Sequence, residues 1–385
     1  MVIVFLTLYL TTELGFSYTQ AGIAMSFYGI GSVAGSYIGG WLTDRVGYYP
    51  TMFWSLMIGG STFLGLMYVH SFYWFCGMIL FASTIIDCFR PASMASIGTY
   101  SSPENHNRSL SLIRLAINLG FGCGAAATGF ISFHYGYNSL FIIDAVTCMA
   151  AALLMRAILV EKKLDKPKEQ TVITPAKSKS AYQDKNFMLF IGAKCIGAIA
   201  FMQLFSAFPV FVKEVLLFTK DEFGMLMLIN ALLIVALEMP MVYILEQKFN
   251  RMSLVAGGYL LFALAYFALI IPGFWVLTLG FFIVAISIGE IIGFPFSNAF
   301  ALSRSSEDRR GEFMGLYSMA FSVAFIIAPI VGMYVAEQYG FTVLWCLSGA
   351  LCTVAVVGFI IIKGLIDNEQ LEQEEADVAV LDAHV

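Results

Sequence analysis

Gly39-Gly-Trp-Leu-Thr-Asp-Arg-Val-Gly-Tyr-Tyr-Pro50 is a short polar stretch between two long apolar ones. Upstream, residues 20–41 are almost all apolar or small, and downstream residues 51–69 are apolar again. A helix needs about 20 apolar residues to cross the hydrocarbon core of a bilayer, so each flank is long enough. The stretch therefore predicts a tight turn between two membrane helices, with Asp44 and Arg45 as its charged residues.

The composition of the whole chain agrees with lipid as its solvent. Of its 385 residues, 59% are hydrophobic and 12% are charged, whereas soluble domains average about 25% charged. No basic face exists for nucleic acid. The seven cysteines show no Cys-x-x-Cys spacing, and no phosphate loop, dinucleotide fingerprint or zinc-helix motif is present. We therefore expect neither an enzyme nor a cofactor or metal.

Twelve apolar segments, numbered here as spans 1 to 12, follow one another along the chain. They are Val2–Thr11, Gln20–Trp41, Met52–Val69, Tyr73–Thr99, Leu110–Phe133, Leu140–Val160, Phe187–Val212, Phe223–Leu245, Met252–Ile271, Phe274–Leu302, Phe313–Ala336 and Val343–Ile366. The first covers only about 15 Å as a helix, half of a bilayer core. We interpret it as the outer half of span 1, whose inner half is absent through a late start codon or a fragmentary gene.

The loops divide the chain into four parts. Residues 1–160 are an N-terminal six-span half, and the Lys-rich segment 161–186 is a linker. Residues 187–366 are a second six-span half, followed by an acidic tail at 367–385. Nearly all loop Lys and Arg lie on the side of this linker, so the positive-inside rule places the linker and the tail in the cytoplasm.

The two halves carry traces of an internal repeat. Residues 42–47 align with 245–250, the region 89–108 aligns with 294–310, and residues 136–141 align with 340–345. Three anchors in the same order predict two parallel six-helix halves.

Three motifs resemble those of the major facilitator superfamily. Gly40-x-x-x-Asp-Arg-x-Gly47 resembles the loop between its second and third helices. Arg310-Gly-Glu-Phe-Met-Gly-Leu-Tyr-Ser318 resembles helix 11 of members grouped with bacterial drug:proton antiporters. Gly120-x-Gly-x-Gly-Ala125 resembles the antiporter motif of helix 5, with Ala125 in the place of the usual proline.

This resemblance implies an all-α polytopic membrane protein of the major facilitator fold, with two six-helix halves related by a pseudo-two-fold axis. It also implies a secondary active transporter that works by alternating access. In that fold spans 1, 4, 7 and 10 line a central cavity, and spans 5 and 8 meet across the halves.

The candidate cavity residues are ionisable or polar groups inside spans, where a charge is costly and functional by default. Asp87 and Arg90 share one face of span 4, either as an ion pair that braces Pro91 or as part of the cavity wall. Glu290 has no Lys or Arg within one turn in the sequence. It is either a proton-coupling site or a protonated structural residue. Lys194 in span 7 either faces the cavity or reaches back to the surface, and Gln203 is a candidate substrate contact.

The candidate cytoplasmic gate combines the opening motif with one charge pair. Gly40 and Gly47 allow close approach and a turn, and Asp44 and Arg45 are the charged residues between them. Asp44 is expected to meet the start of span 11, where helical N–H groups favour an anion.

Arg114 in span 5 and Glu238 in span 8 lie at similar depth. They either form a salt bridge that closes the cytoplasmic side or are satisfied separately.

The function predicted is proton-coupled efflux of a small organic molecule across a bacterial plasma membrane. A proton-coupled importer of a polar nutrient is the alternative, and a non-transporting remnant is a third reading if span 1 is truncated. The expected partners are the substrate, protons and the lipid bilayer, with the protein acting as a monomer and without nucleic acid.

Overall fold

The computed structural model describes residues 2–100, 106–161, 180–273, 275–305 and 310–382. The regular elements in these ranges are helices. Nine stretches of the described residues are long and apolar enough to cross a membrane. The predicted all-helical polytopic fold is therefore confirmed.

Fourteen α-helices follow the order of the predicted spans. They are α1 Val2–Thr12, α2 Tyr18–Val46, α3 Tyr48–Leu66, α4 Phe72–Asp87, α5 Phe89–Tyr100, α6 His106–Tyr135, α7 Asn138–Ile158, α8 Lys185–Phe201, α9 Gln203–Glu214, α10 Lys220–Glu246, α11 Arg251–Ala268, α12 Trp275–Arg304, α13 Arg310–Tyr339 and α14 Phe341–Asp382. The last helix continues through most of the predicted acidic tail.

The polar stretch at residues 39–50 is in the predicted place, but its predicted length is wrong. Helix α2 continues to Val46 and α3 begins at Tyr48, so Gly47 alone separates them. Gly47 has φ +106°, a backbone conformation that costs little only for glycine. Its N–H donates to the Thr43 carbonyl at 3.1 Å, which completes the last turn of α2.

Spans 4 and 7 are each two helices rather than one. The breaks fall at Cys88, between α4 and α5, and at Met202, between α8 and α9. Near each break one bond spans three residues instead of four, from Cys88 N to Ile85 O at 3.3 Å and from Phe205 N to Met202 O at 3.1 Å. In span 4 the cause is Pro91, because it has no N–H to donate to the Asp87 carbonyl.

The helices group into two compact units, which are described separately. Unit 1 comprises Met1–Ile173, Met202–Val235 and Phe325–Leu344, and unit 2 comprises Thr174–Phe201, Ala236–Ala324 and Trp345–Val385. The division into six-span halves at residues 161–186 stays a prediction.

Helix α1 is packed into unit 1 along its described side chains. Phe5, Leu6, Leu8, Tyr9 and Leu10 are all buried. Tyr9 contacts the rings of Phe75, Tyr137 and Phe141, and Phe5 makes an edge contact with Phe223 at 5.1 Å. This short helix is therefore a core element of unit 1.

A glycine face on α2 allows close packing of α2 against α4. Gly31, Gly35 and Gly39 follow one another every four residues, so they line one side of the helix. A methyl group on Gly35 would collide with the carbonyl group of Thr84, whereas one on Gly40 would meet nothing within 4 Å. Small residues at such a contact let two membrane helices approach backbone to backbone.

The glycine face gives a stability prediction with a matched control on the same helix. Gly35→Ala should destabilise the protein by about 1–3 kcal/mol, because the added methyl group forces α2 and α4 apart. Gly40→Ala should not destabilise it. Thermal unfolding of both purified variants in one detergent measures the difference, and equal midpoints would show that the α2–α4 contact tolerates the methyl group.

Candidate functional site

The described part of unit 1 holds a buried carboxyl group at Asp87, the last residue of α4. Asp87 is 8% exposed. The Ser32 side chain on α2 lies close to it. The Arg90 guanidinium lies 3.7 Å from Oδ1, beyond hydrogen-bond distance, with 69% of its side chain exposed. Oδ2 is buried without a hydrogen-bond partner among the described residues.

This arrangement leaves one side of the carboxyl group unsatisfied. Burying a polar atom without a partner costs about 1–3 kcal/mol, and more when the group is ionised. Arg90 offsets part of that cost only, because its charge is largely solvated. A proton or a cation on Oδ2 would remove this deficit, and the role of Asp87 in the cavity stays a prediction.

Gln203 lies between helices of unit 1 and is 2% exposed. Its Nε2 donates to the Ala328 carbonyl at 2.8 Å, and its Oε1 accepts from the Ser206 hydroxyl at 3.1 Å. The amide fits against Gly332, where any side chain would collide with it. The geometry gives Gln203 a packing role between α9 and α13, and a direct substrate contact stays a prediction.

The same stretch of α13 also receives a donor from α2. The Ser26 hydroxyl donates to the Ile326 carbonyl at 2.6 Å. Pro329 lies inside α13 and supplies no N–H to the turn before it. Side-chain donors from α2 and α9 therefore both reach the backbone around this proline. In a membrane protein such side-chain donors help to satisfy the backbone of a helix that contains proline.

Unit 2 contains a buried cation at Lys194 on α8. Lys194 is fully buried, at 0% exposure. Its Nζ donates to the Ser297 hydroxyl at 3.1 Å and lies 4.1 Å from the ring centre of Tyr317 and 4.3 Å from that of Phe321. The ring of Phe294 is farther away, at 5.6 Å. Lys194 therefore does not reach back to the surface, which was one of its two predicted positions.

The aromatic surroundings compensate the charge of Lys194 only in part. A desolvated cation–π contact contributes about 2 kcal/mol, whereas the effective cost of removing an ammonium group from water is several kcal/mol. Among the described residues, no carboxylate lies within 4.0 Å of Nζ. The rings and the Ser297 hydroxyl therefore offset only part of the cost of burying this amine.

Glu290 is on α12 in unit 2 and is partly exposed. It interacts electrostatically with the buried hydroxyl group of Tyr266, which donates to the Ala200 carbonyl at 2.7 Å. The neighbouring Gly289 packs against Phe262 and Gly258. Its proton-coupling role stays a prediction.

The predicted gate is described only in part. Arg45 is exposed and its guanidinium lies 4.4 Å from the centre of the Trp41 ring, and Gly47 forms the turn before α3. The side chains of Asp44 and Arg114 lie outside those that the structure describes. The contact of Asp44 with span 11 and the Arg114–Glu238 salt bridge therefore stay predictions.

The partners of the buried charges were not predicted from the sequence. Ser32 and Tyr28 beside Asp87, and Ser297, Tyr317 and Phe321 around Lys194, are neutral residues within apolar runs. Tyr317 lies inside the stretch that resembles family helix 11, which was the one available signal. The other residues are identified only by their contacts.

Comparison with known proteins defines the class of this protein. The sequence profile of the Major Facilitator Superfamily matches residues 1–219 and 195–379. The chain therefore belongs to the Major Facilitator Superfamily, and it is a multi-pass membrane transporter of that kind.

Two relatives cover most of the chain. The uncharacterized MFS-type transporter YttB of Bacillus subtilis is 22% identical over 337 residues, which are 87% of this chain and 83% of the relative. The Na(+), Li(+), K(+)/H(+) antiporter of Planococcus maritimus is 24% identical over 396 aligned positions, covering 94% of this chain and 90% of that protein.

Solved structures show the same fold at low sequence identity. A crystal structure of a POT family transporter in complex with a thioalcohol-conjugated peptide has a TM-score of 0.77 and 16% identity, with 95% of this chain and 92% of that chain covered. The nucleoside transporter NupG has a TM-score of 0.76 and 15% identity, with 94% and 96% covered. At these identities the likeness concerns the fold alone.

The contacts of Gln203 give a second stability prediction. Gln203→Ala should destabilise the protein by about 1–3 kcal/mol, because it removes the donor to Ala328 and leaves a void beside Gly332. Gln183→Ala, at an exposed position, is the control and should have no effect. Thermal unfolding in detergent tests both, and an unchanged midpoint for Gln203→Ala would contradict the packing role.

Proposed function

We propose that this chain is a proton-coupled antiporter that exports a small solute by alternating access, with Asp87 as the proton carrier. The observation that carries this proposal is the buried Asp87 carboxyl group inside a membrane span, whose Oδ2 has no hydrogen-bond partner among the described residues. Proton exchange by the relative from Planococcus maritimus supports it.

The contacts of Asp87 suggest how proton and cargo exclude each other. The protonated carboxyl group is neutral, so its burial beside Ser32 costs little. When the proton leaves, the carboxylate is stabilised by Arg90 and Ser32 and can attract a cationic cargo. A site that binds either a proton or the cationic cargo, but not both at once, is sufficient for exchange of the two in opposite directions.

The remaining site residues have supporting roles in this proposal. Glu290 on span 10 is a second carboxyl group that could exchange protons, and Gln203 holds α9 to α13. The motif residues Gly40, Asp44, Arg45 and Gly47, together with an Arg114–Glu238 pair, would close the cytoplasmic side. The Lys and Arg distribution supports this orientation, with the linker and the C-terminal tail in the cytoplasm of a bacterial cell.

The cargo is either a small organic cation or a monovalent metal ion. The family resemblance of spans 5 and 11 favours a drug-like organic compound. The relative named as a Na(+), Li(+), K(+)/H(+) antiporter favours a metal ion, and the oxygen atoms of Asp87 and Ser32 are the ligand type that hard cations prefer.

Proton movement in proteoliposomes tests the proposal. The purified protein is reconstituted with the pH dye pyranine inside, a pH gradient is imposed, and Na⁺, Li⁺, K⁺ or ethidium is added in separate runs. We expect one of these probes to drive proton movement in the opposite direction. Asp87→Asn should abolish that movement, because the amide cannot exchange a proton.

A matched carboxyl variant is the control for this experiment. Glu214→Gln removes a carboxylate that forms a surface ion pair with Lys213, so probe-driven proton movement should be unchanged. If Asp87→Asn keeps the proton movement of the unmodified protein, then Asp87 does not carry the proton. In that case Glu290→Gln is the next variant to compare.

The choice of probe also separates the two cargo classes. Proton movement driven by ethidium and unaffected by Na⁺, Li⁺ or K⁺ identifies an exporter of organic cations. Proton movement driven by a metal ion identifies a monovalent-cation antiporter. The rate of proton movement should then rise with the concentration of that ion, added as its chloride salt, and reach a plateau.

A further inference from the structure

Lys194 is the one fully buried lysine among the described residues, and Asp87 proton exchange does not use it. It lies within a membrane span, among side chains of α12 and α13. An apolar residue of similar volume would fill the same space without the free-energy cost of removing an ammonium group from water. An ionisable residue inside a membrane span is a functional candidate by default.

The hydrogen bonds around Nζ can hold either form of the amine. Nζ contacts the Ser297 hydroxyl at 3.1 Å, and that hydroxyl lies 2.9 Å from the Tyr317 hydroxyl, with either oxygen able to donate. Ser297 also lies within 2.9 Å of the Phe294 carbonyl. An ammonium group donates to Ser297, whereas a neutral amine can accept from it if Tyr317 or Phe294 no longer takes the Ser297 proton.

Among the described residues, no carboxylate lies within salt-bridge distance of Lys194. Helix α13 contributes the Tyr317 hydroxyl and α12 contributes Ser297, with Glu290 one turn before Phe294 on the same helix. Helix α11 contributes Tyr259, which packs against α8 at Gly197 and whose hydroxyl is buried without a described hydrogen-bond partner. On α8 itself the neighbouring titratable residue is Cys195. Helix α14 packs against α8 at Ala193 and Gly197, and its buried titratable residue is Cys352.

We propose that Lys194 is a second proton-binding site, which alternates between an ammonium group held by the Tyr317 and Phe321 rings and an amine held by Ser297. Discharge breaks one N–H bond of the ammonium group. The proton passes to water when a conformational change admits it, and the electron pair stays on Nζ. The role of Lys194 in transport rests on the proposed proton-coupled function. Its titration can be measured without any cargo.

A difference titration of the purified protein tests this site. The unmodified protein, Lys194→Arg and Lys194→Met are each titrated in unbuffered detergent solution between about pH 6 and pH 9, where an exposed lysine stays charged. Arginine keeps its charge and methionine has none, so both variants should exchange fewer protons than the unmodified protein, by one per chain. Lys213→Met, which removes a partly exposed lysine, should titrate like the unmodified protein.

A second pair of variants keeps the test decisive if replacing Lys194 prevents folding. Tyr317→Phe and Ser297→Ala retain the lysine but remove the hydroxyl groups beside it. Each should shift the pH midpoint at which Lys194 exchanges its proton. The reason is that the lost hydroxyl group stabilises the ammonium and amine forms to different extents. Phe321→Leu removes one aromatic face from the ammonium form and should move the midpoint to lower pH.

The outcomes separate this inference from the proposed function. Lys194 is not a proton-binding site if the unmodified protein, Lys194→Arg and Lys194→Met exchange equal numbers of protons. The same conclusion follows if none of Tyr317→Phe, Ser297→Ala and Phe321→Leu moves the midpoint. The proposal for Asp87 would still stand on probe-driven proton movement. If Lys194 titrates and Asp87→Asn keeps full proton movement, Asp87 is not the proton carrier, and probe-driven proton movement in Lys194→Met and Glu290→Gln decides which of the two remaining groups is.

Discussion

The low dielectric of the bilayer is the constraint on which the rest of this structure depends. It forces the backbone into helices, because every N–H and C=O group in a span needs an internal partner. It also makes each ionisable side chain in a span costly unless its surroundings compensate the charge. Asp87 in unit 1 and Lys194 in unit 2 meet this constraint in different ways, and the difference defines what each can do.

Asp87 is compensated by a neighbouring helix and a solvated partner. The glycine face of α2 brings that helix close to α4, and Ser32 lies beside Gly31 on it. A bulkier face would hold Ser32 too far away to reach the carboxyl group. The close packing thus brings the Ser32 hydroxyl near the Asp87 carboxyl group at the end of α4.

The sequence predicted most of the fold because hydropathy reports directly on the bilayer. Helices form at all twelve predicted segments, and nine stretches of the described residues are long and apolar enough to cross a membrane. The position of the Gly47 turn followed from one polar stretch. The length of that turn was predicted wrongly, because charged Asp44 and Arg45 can continue a helix at a membrane surface. The break at Met202 was not predicted, since no proline or glycine marks it.

The candidate site was less predictable, for a physical reason that Lys194 illustrates. A charge inside an apolar run is visible in the sequence, so Asp87, Glu290 and Lys194 were identified directly. What decides their chemistry is the set of groups that surround them, and those come from other helices. Ser297 and Tyr317 are separated from Lys194 by more than 100 residues, and no local pattern links a serine or an aromatic ring to a distant amine. A single sequence therefore locates the charges, and the packing of the helices determines whether each charge is fixed or exchangeable.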